Sequence, residues 1–363
     1  MKIAVLWTEL SGYMNACLKK LAAMDGVELF VASSCINKDA PFDELTFAWI
    51  ENHFQWHGSV DANRLIPLLE NFQPELILCA NWHYQGYRKT LRHFKGQSIR
   101  VFTSDRPWLG TPRQWLGVFI SRFYLHPICE AMFVAGERQR VFAKKMGFSQ
   151  RKILHGLYSC DHEKFASIYF ERKKQQIEAR SFLFVGRFVS EKGLDTLVNA
   201  YQRYRQQAVD PWPLKCYGAG PLQPMLDGIP GIECKGFCQP DDLPKKFMEA
   251  NCLILPSTFE PWALVVHEAT AAGMAVIASD AVGATAHLIQ DDYNGYVVET
   301  GSAEELAGAM LNYSALPPAA RRIIGENSYL MSLQFTPRRW AETVLSIPKR
   351  INGKTYEKPT IEH

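Results

Sequence analysis

The sequence predicts an α/β protein of two domains, each a doubly wound parallel sheet covered by helices. Three observations carry that prediction. First, 363 residues are enough for two domains of ordinary size, and 47% hydrophobic content supplies a core for each. Second, apolar runs of strand length alternate along the chain with segments of helical periodicity. Third, one stretch shows the whole repeating unit. Cys252 to Leu255 is a buried strand stopped by Pro256. Ser257 and Thr258 offer cap-type hydroxyls, Pro261 suits a first turn, and Trp262 to Ala272 is helix-friendly up to Gly273. Ala275 to Ala278 is the next strand.

From the amino terminus, Lys2 to Trp7 reads as the first buried strand. Gly12 follows in the turn, and Met14, Cys17, Leu18 and Leu21 then fall on one helix face. A glycine between the first strand and first helix is where such folds bind ligands, although a lone glycine is also an ordinary turn, and GxGxxG is absent. VELFVAS is a second strand, and the aromatic-rich stretch Phe47 to Trp56 suggests a strand pair near an edge. ELILCAN ends at Asn81, Trp82 and His83, and SIRVFTS ends at Asp105. Chemistry in open parallel sheets sits beyond the carboxyl ends of strands, so His83 and Asp105 are the two candidates of this half. Asp105 could hold or deprotonate a hydroxyl, or serve only as a turn or cap residue.

Between Gly86 and His126 the composition turns basic. Arg88, Lys89, Arg92, Lys95, Arg100, Arg106, Arg113 and Arg122 face only Asp105, in a chain whose net charge is +3. Aromatic residues are interleaved, among them Trp108, Trp115, Phe119 and Phe123. Basic and large apolar residues at helical spacing read as a surface for anionic lipid, each cation near such a leaflet contributing about 1 kcal/mol. A surface helix beside a core helix is the plainer alternative. Nucleic acid has no accompanying reading motif.

Ile168 to Ala179 is a polar connector. Phe182 to Val185 is then a strand, and Gly186 and Arg187 leave it. Leu194, Leu197, Val198 and Tyr201 mark the next helix. Arg187 and Lys192 thus sit in a loop before a helix amino terminus, where two cations and the helix dipole suit a diphosphate. Gly218 lies in a glycine loop after another strand, and Phe237 follows a further one. Glu260 and Glu268 bracket the helix of the unit described first. Eight residues of helix rise roughly 12 Å, too far to share one bond and suited to gripping a long ligand at two points. The amides of Ala263 and Leu264 lie near that helix start. A capped helix with a solvated glutamate has the same spacing. Ser302 and Glu305 form a capping box, and Phe335 to Ile347 is a last helix.

The stretch EPWALVVHEATAAG resembles the E-x7-E signature of retaining glycosyltransferases of family 4, and Gly186 to Gly193 is similar to their G-R-x-x-x-E-K-G motif. The resemblance is specific over the carboxyl half and weaker over the amino half. It implies the GT-B fold, two Rossmann-like parallel-sheet domains facing across a cleft. The expected divisions are 1–168 for an acceptor-side domain, 169–334 for a nucleotide-sugar-binding domain, 335–348 for a helix crossing back, and 349–363 for a disordered tail. It further implies that Arg187 and Lys192 bind the donor diphosphate, that Glu260 holds the sugar and Glu268 the ribose, and that Gly12, Gly186, Gly218, Phe237, Ala263 and Leu264 line the donor. Ala263 stands where the family usually has glycine, which leaves the sugar open.

Nine cysteines without a CxxC read as free thiols in a reducing compartment. No metal-ligand motif, signal core or spanning segment is visible. The expected protein is cytoplasmic and peripheral on the inner face of the membrane. It needs no cofactor and takes a UDP- or GDP-linked sugar, which it moves to an acceptor glycan or lipid-linked sugar in cell-surface glycan synthesis. The expected partners include an anionic membrane surface and exclude nucleic acid. A soluble acceptor, a nucleotide-sugar epimerase, and a non-enzymatic sugar-binding protein are the alternatives.

Overall fold

The computed structural model describes residues 1–35, 47–80, 83–176 and 178–353; Asn81, Trp82 and 354–363 lie outside it. The chain divides into two compact units, Met1–Ser159 with Pro337–His363, and Cys160–Thr336.

Unit 1 runs β1 (Lys2–Leu6), α1 (Gly12–Ala22), β2 (Glu28–Ser34), β3 (Asn52–Trp56), α2 (Ala62–Phe72), β4 (Leu76–Cys79), α3 (Gln85–His93), β5 (Ile99–Ser104), α4 (Pro112–Tyr124), β6 (Ala131–Val134), α5 (Glu137–Lys145) and β7 (Ile153–His155). The strands form one seven-stranded sheet, ordered β3-β2-β1-β4-β5-β6-β7, with every pairing parallel. Residues 76–79 are all buried, as a strand covered on both faces requires. The aromatic stretch Phe47 to Trp56 is not a strand pair. Only Asn52–Trp56 is extended, as the sheet's edge strand, and Phe47 is a buried residue of the turn before it.

Unit 2 runs α6 (His162–Gln175), β8 (Phe182–Val185), α7 (Leu194–Gln207), β9 (Leu214–Tyr217), β10 (Ile232–Cys234), α8 (Leu243–Met248), β11 (Cys252–Leu255), α9 (Leu264–Ala271), β12 (Ala275–Ser279), α10 (Thr285–Leu288), β13 (Gly295–Val298), α11 (Ala303–Ala315) and α12 (Pro318–Ser332). Its six-stranded sheet, β10-β9-β8-β11-β12-β13, is again wholly parallel. The expected connector from Ile168 is mostly the second half of α6. Phe165, Ala166, Tyr169 and Arg172 are buried at helical spacing, and the Arg172 guanidinium donates to the Ala250 carbonyl and Asn251 Oδ1. A helix that packs on unit 2 from its first turn belongs there whole, so the units divide after Ser159 and not after residue 168.

The last helix, α13 (Pro337–Asn352), belongs to unit 1, where buried Trp340 donates to the Leu157 carbonyl at 3.0 Å. It continues past the expected end at 348, with Pro348 inside it, so the first residues of the expected disordered tail are helical. Half of the expected capping box forms. Ser302 Oγ accepts from the Glu305 amide at 3.2 Å, while the Glu305 carboxylate accepts from the Glu299 amide at 2.7 Å.

Candidate functional site

In unit 2 the strand order runs outward in one direction from β8 and in the other from β11. Loops leaving the carboxyl ends of two such strands diverge and open a crevice. The loop after β8 carries Gly186, Arg187 and Lys192, and the loop after β11 carries Glu260 and Ala263.

Close backbone approach holds the two loops together. Gly193 has φ +65°, and a side-chain carbon there would lie 2.1 Å from the Pro256 carbonyl oxygen, so only glycine fits. The Thr258 amide donates to the Glu191 carbonyl at 2.9 Å. The result is an ion pair between Lys192 and Glu260, whose side chains are 17% and 16% exposed. Arg187 remains exposed beside them, with no ion pair among the described residues. Gly218, φ +154°, closes the loop after β9 against the first. A side-chain carbon there would meet the Gly186 carbonyl oxygen at 1.9 Å. Phe237 follows β10 and is 62% exposed, an aromatic face open to solvent at the same end of the sheet.

The helix expected from Trp262 begins two residues later. Ala263 takes a left-handed conformation, φ 81° and ψ 85°, which a helix cannot include, so α9 starts at Leu264. Neither Ser257 nor Thr258 caps it. Ser257 is buried and its carbonyl accepts from Ser279 Oγ. The first-turn amides of α9 are therefore not used by a side-chain cap. Glu268 lies one helix turn further on, partly buried, and its carboxylate bonds to none of the described residues. Burial pushes it up to about 7, against the pull of the Lys164 ammonium. Its neighbour His267 is pushed down to about 3 by burial, then by His162. The ring accepts from the Cys160 amide at Nδ1, so Nε2 carries the proton toward the Ser332 carbonyl. This neutral histidine ties the start of unit 2 to the end of α12.

In unit 1 the order changes direction between β1 and β4. A cavity of about 320 Å³ lies at the carboxyl ends of these strands and β5. His83 and Asp105 both line it, with Glu9, Tyr13, Arg106 and Tyr158, over an apolar floor that includes Phe102 and Met132. Tyr158 donates to Asp105 Oδ2 at 3.0 Å, and Gln139 donates to the Asp105 carbonyl at 2.9 Å. Burial, then Tyr13 and Asp105, holds the Tyr158 hydroxyl well above its usual range, so it stays a donor. Burial, then Arg106, Arg113 and Arg88, depresses His83. Tyr158 escaped the sequence reading because it lies 53 residues from Asp105, and no local pattern marks it. Gly12 begins α1 without a positive φ, and a side-chain carbon there would meet nothing within 4 Å; neither packing nor backbone demands glycine.

The basic-aromatic segment separates into two helices with opposite arrangements. On α3 the apolar residues Tyr87 and Leu91 are buried, and Lys89 and Arg92 point outward; Lys95 follows the helix and is also exposed. Arg88 lies over the Tyr124 ring at 5.3 Å. On α4 the apolar side is the outer one: Trp115 is 54% exposed, Leu116 61%, Phe119 77% and Phe123 80%. Arg113 and Arg122 flank that face. Two expectations need correction. Arg100 is buried on β5 and paired with Glu130, because a mid-sheet guanidinium needs a counter-ion, so it adds no surface charge. Trp108 is half-buried, stacked on Phe142 with the Lys145 ammonium over its ring, so it is not free to insert elsewhere.

Among the described residues no cluster could hold a metal ion, and no helix is long and apolar enough to cross a membrane. All nine cysteines are free.

Residues 167–331 match the family model for glycosyl transferases group 1, within unit 2 and over all four of Arg187, Lys192, Glu260 and Glu268. An uncharacterized glycosyltransferase of Methanocaldococcus jannaschii is 30% identical over 139 residues, 36% of this chain and 35% of its own. The chain thus spans only about a third of that relative's length. Among solved structures, a glycosyltransferase from Rickettsia africae superposes with a TM-score of 0.74 over 98% of this chain and 99% of its own, at 14% identity. Anabaena HepE, solved in complex with UDP, superposes with a TM-score of 0.68 over 97% and 99%, at 17% identity. Two parallel α/β units of seven and six strands, alike in fold to these proteins, are the GT-B architecture.

Proposed function

We propose that the protein is a configuration-retaining glycosyltransferase. Unit 2 holds a UDP- or GDP-linked sugar, and the sugar passes to an acceptor hydroxyl held by unit 1. The observation that carries the proposal is the meeting of Lys192 and Glu260 at the switch point of the six-stranded sheet, with Arg187 exposed beside them. Charge grows on the diphosphate as the sugar leaves. In this reading Arg187 and Lys192 stabilise it, so the reaction needs no metal ion. Glu260 accepts from sugar hydroxyls once the diphosphate takes over part of the Lys192 ammonium. Glu268, whose carboxylate bonds to none of the described residues, accepts from the ribose. Asp105, oriented by Tyr158, holds the acceptor hydroxyl or takes its proton.

The acceptor in this proposal is lipid-linked, in cell-surface glycan synthesis, and the protein docks on an anionic membrane. The outward apolar face of α4, flanked by Arg113 and Arg122 and near Arg88, supports it. A face of four large apolar side chains has the amphipathic make-up of an interfacial helix.

The test is a panel of UDP- and GDP-sugars screened by thermal shift against the intact chain and Lys192→Ala, followed by transfer assays with the best donor, with and without EDTA. At least one donor should stabilise the intact chain, by about 2.7 kcal/mol at 100-fold its Kd. A panel in which no nucleotide sugar binds removes the proposal. Conversion of the donor to a new nucleotide sugar without acceptor would make the protein an epimerase.

A further inference from the structure

The proposed donor site lies at the carboxyl end of the six-stranded sheet. A second cavity, of about 400 Å³, lies at the opposite end. Asn251, which lines it, immediately precedes β11, whereas Glu260 follows that strand. The cavity is shaped by the end of α6 and the first turn of α12, and Pro318 and Ala319 of that turn line it. Pro318 has no N–H, and the Ala320 and Arg321 amides donate to the Pro317 carbonyl at 3.0 and 3.2 Å, so this terminus contributes mainly the positive end of its helix dipole.

The charges around this cavity do not balance. Four cationic side chains line it, Arg172, Lys173, Arg321 and Arg322, with two carboxylates, Glu178 and Glu326. Arg321 takes Glu178 and Lys173 takes Glu326. Arg172 is 7% exposed, and among the described residues its Nη2 donates only to neutral oxygens, those of Ala250 and Asn251. Its Nη1 is buried with no hydrogen-bond partner among the described residues. Arg322 is exposed and has no ion pair among them. A guanidinium cannot shed its proton, and burying one without a counter-ion is costly.

We infer that this cavity is a second ligand site, taking an oxyanion, a phosphate or carboxylate group, on a small molecule of about sugar-phosphate size. Arg172 and Arg322 are its charged ligands, and the amino terminus of α12 adds the positive end of its dipole. The planar guanidinium fork suits either oxyanion. The volume is within the usual range for small-molecule sites. This inference does not depend on the donor-site reading, since the two sites lie at opposite ends of the sheet.

The experiment is thermal shift of the full chain, titrated with glucose 6-phosphate in one arm and citrate in the other. The buffer is free of phosphate and sulfate and held at constant ionic strength with NaCl. A saturable rise in Tm is expected in at least one arm, and the arm that responds tells phosphate from carboxylate. Arg322→Glu and Arg172→Met should each raise the apparent Kd at least tenfold, while Lys192→Ala leaves it unchanged. Arg172 also ties α6 to Ala250, so its variant loses a structural bond as well; Arg322 is exposed, and its variant tests the site without that loss. The inference is overturned if neither arm saturates, if saturation survives Arg322→Glu, or if Lys192→Ala abolishes it.

Discussion

Replacing Glu268 by glutamine should stabilise the protein, and by an amount that depends on pH. Burial raises this carboxyl from 4.5 to about 7 in the folded chain. Below about 4.5 it is protonated whether folded or not, and it has no effect on stability. Between about 4.5 and 7 the unfolded chain loses the proton while the folded chain keeps it. Stability contributed by the neutral carboxyl is therefore lost as pH rises through that window, and it is level above it. At 1.36 kcal/mol per pH unit the full cost is about 3 kcal/mol. Glutamine mimics the protonated acid without titrating. Glu268→Gln should thus gain about 1 kcal/mol at pH 5 and about 3 kcal/mol at pH 8 in urea unfolding. The same substitution should weaken donor binding, because the ionised carboxylate is the better acceptor for ribose hydroxyls. Loss of one charge-assisted bond corresponds to about ten- to a hundredfold. The donor KM of the intact protein should fall as pH rises through 7, and that of the variant should stay flat. An identical stability change at pH 5 and pH 8 would refute the burial argument.

Lys192→Ala should lower turnover by about a hundredfold or more, as removal of an oxyanion donor does, and near-normal activity would sink the diphosphate assignment. It should also cost stability, by up to about 3 kcal/mol, because Glu260 keeps its burial and loses its partner. Ala263→Gly should be tolerated within about 1 kcal/mol, the relief of a left-handed residue offsetting a lost buried methyl. Ala263→Val should cost more than about 2 kcal/mol, since a β-branched side chain resists that conformation; equal melts for the two variants would contradict the geometry. Phe119→Ser with Phe123→Ser should reduce co-sedimentation with anionic liposomes by tenfold or more, and raised salt should weaken what remains. Equal recovery on neutral and anionic vesicles would leave α4 without a lipid partner and favour a soluble acceptor.

Much of this molecule was legible from local pattern. The buried strands 3–6, 76–79 and 252–255 announce themselves because a strand covered on both faces must be apolar throughout. The loop holding Arg187 and Lys192 was legible for the same reason, since a strand, a glycine and the next helix lie within a dozen residues of each other. Periodicity also showed that Trp115, Phe119 and Phe123 share a helix face, but not whether that face is core or surface. Tyr87 and Phe119 come from the same basic-aromatic text, and one is buried while the other is 77% exposed.

Other features exist only where distant parts of the chain meet. Lys192 and Glu260 are 68 residues apart, and their pairing depends on Gly193 lying against the carbonyl of Pro256. Arg100 looked like one more surface cation until Glu130, just before the neighbouring strand β6, reached it. Arg172 read as part of a polar connector, and packing of α6 buried it without a carboxylate. Hydrophobic period and turn chemistry are short-range properties, so sequence alone determined the two parallel sheets and the loops that carry the candidate site. Burial and charge neutralisation depend on what other segments bring, so only tertiary structure decided which cations are paired, which carboxyl is held near neutrality, and which helix turns its apolar side to solvent.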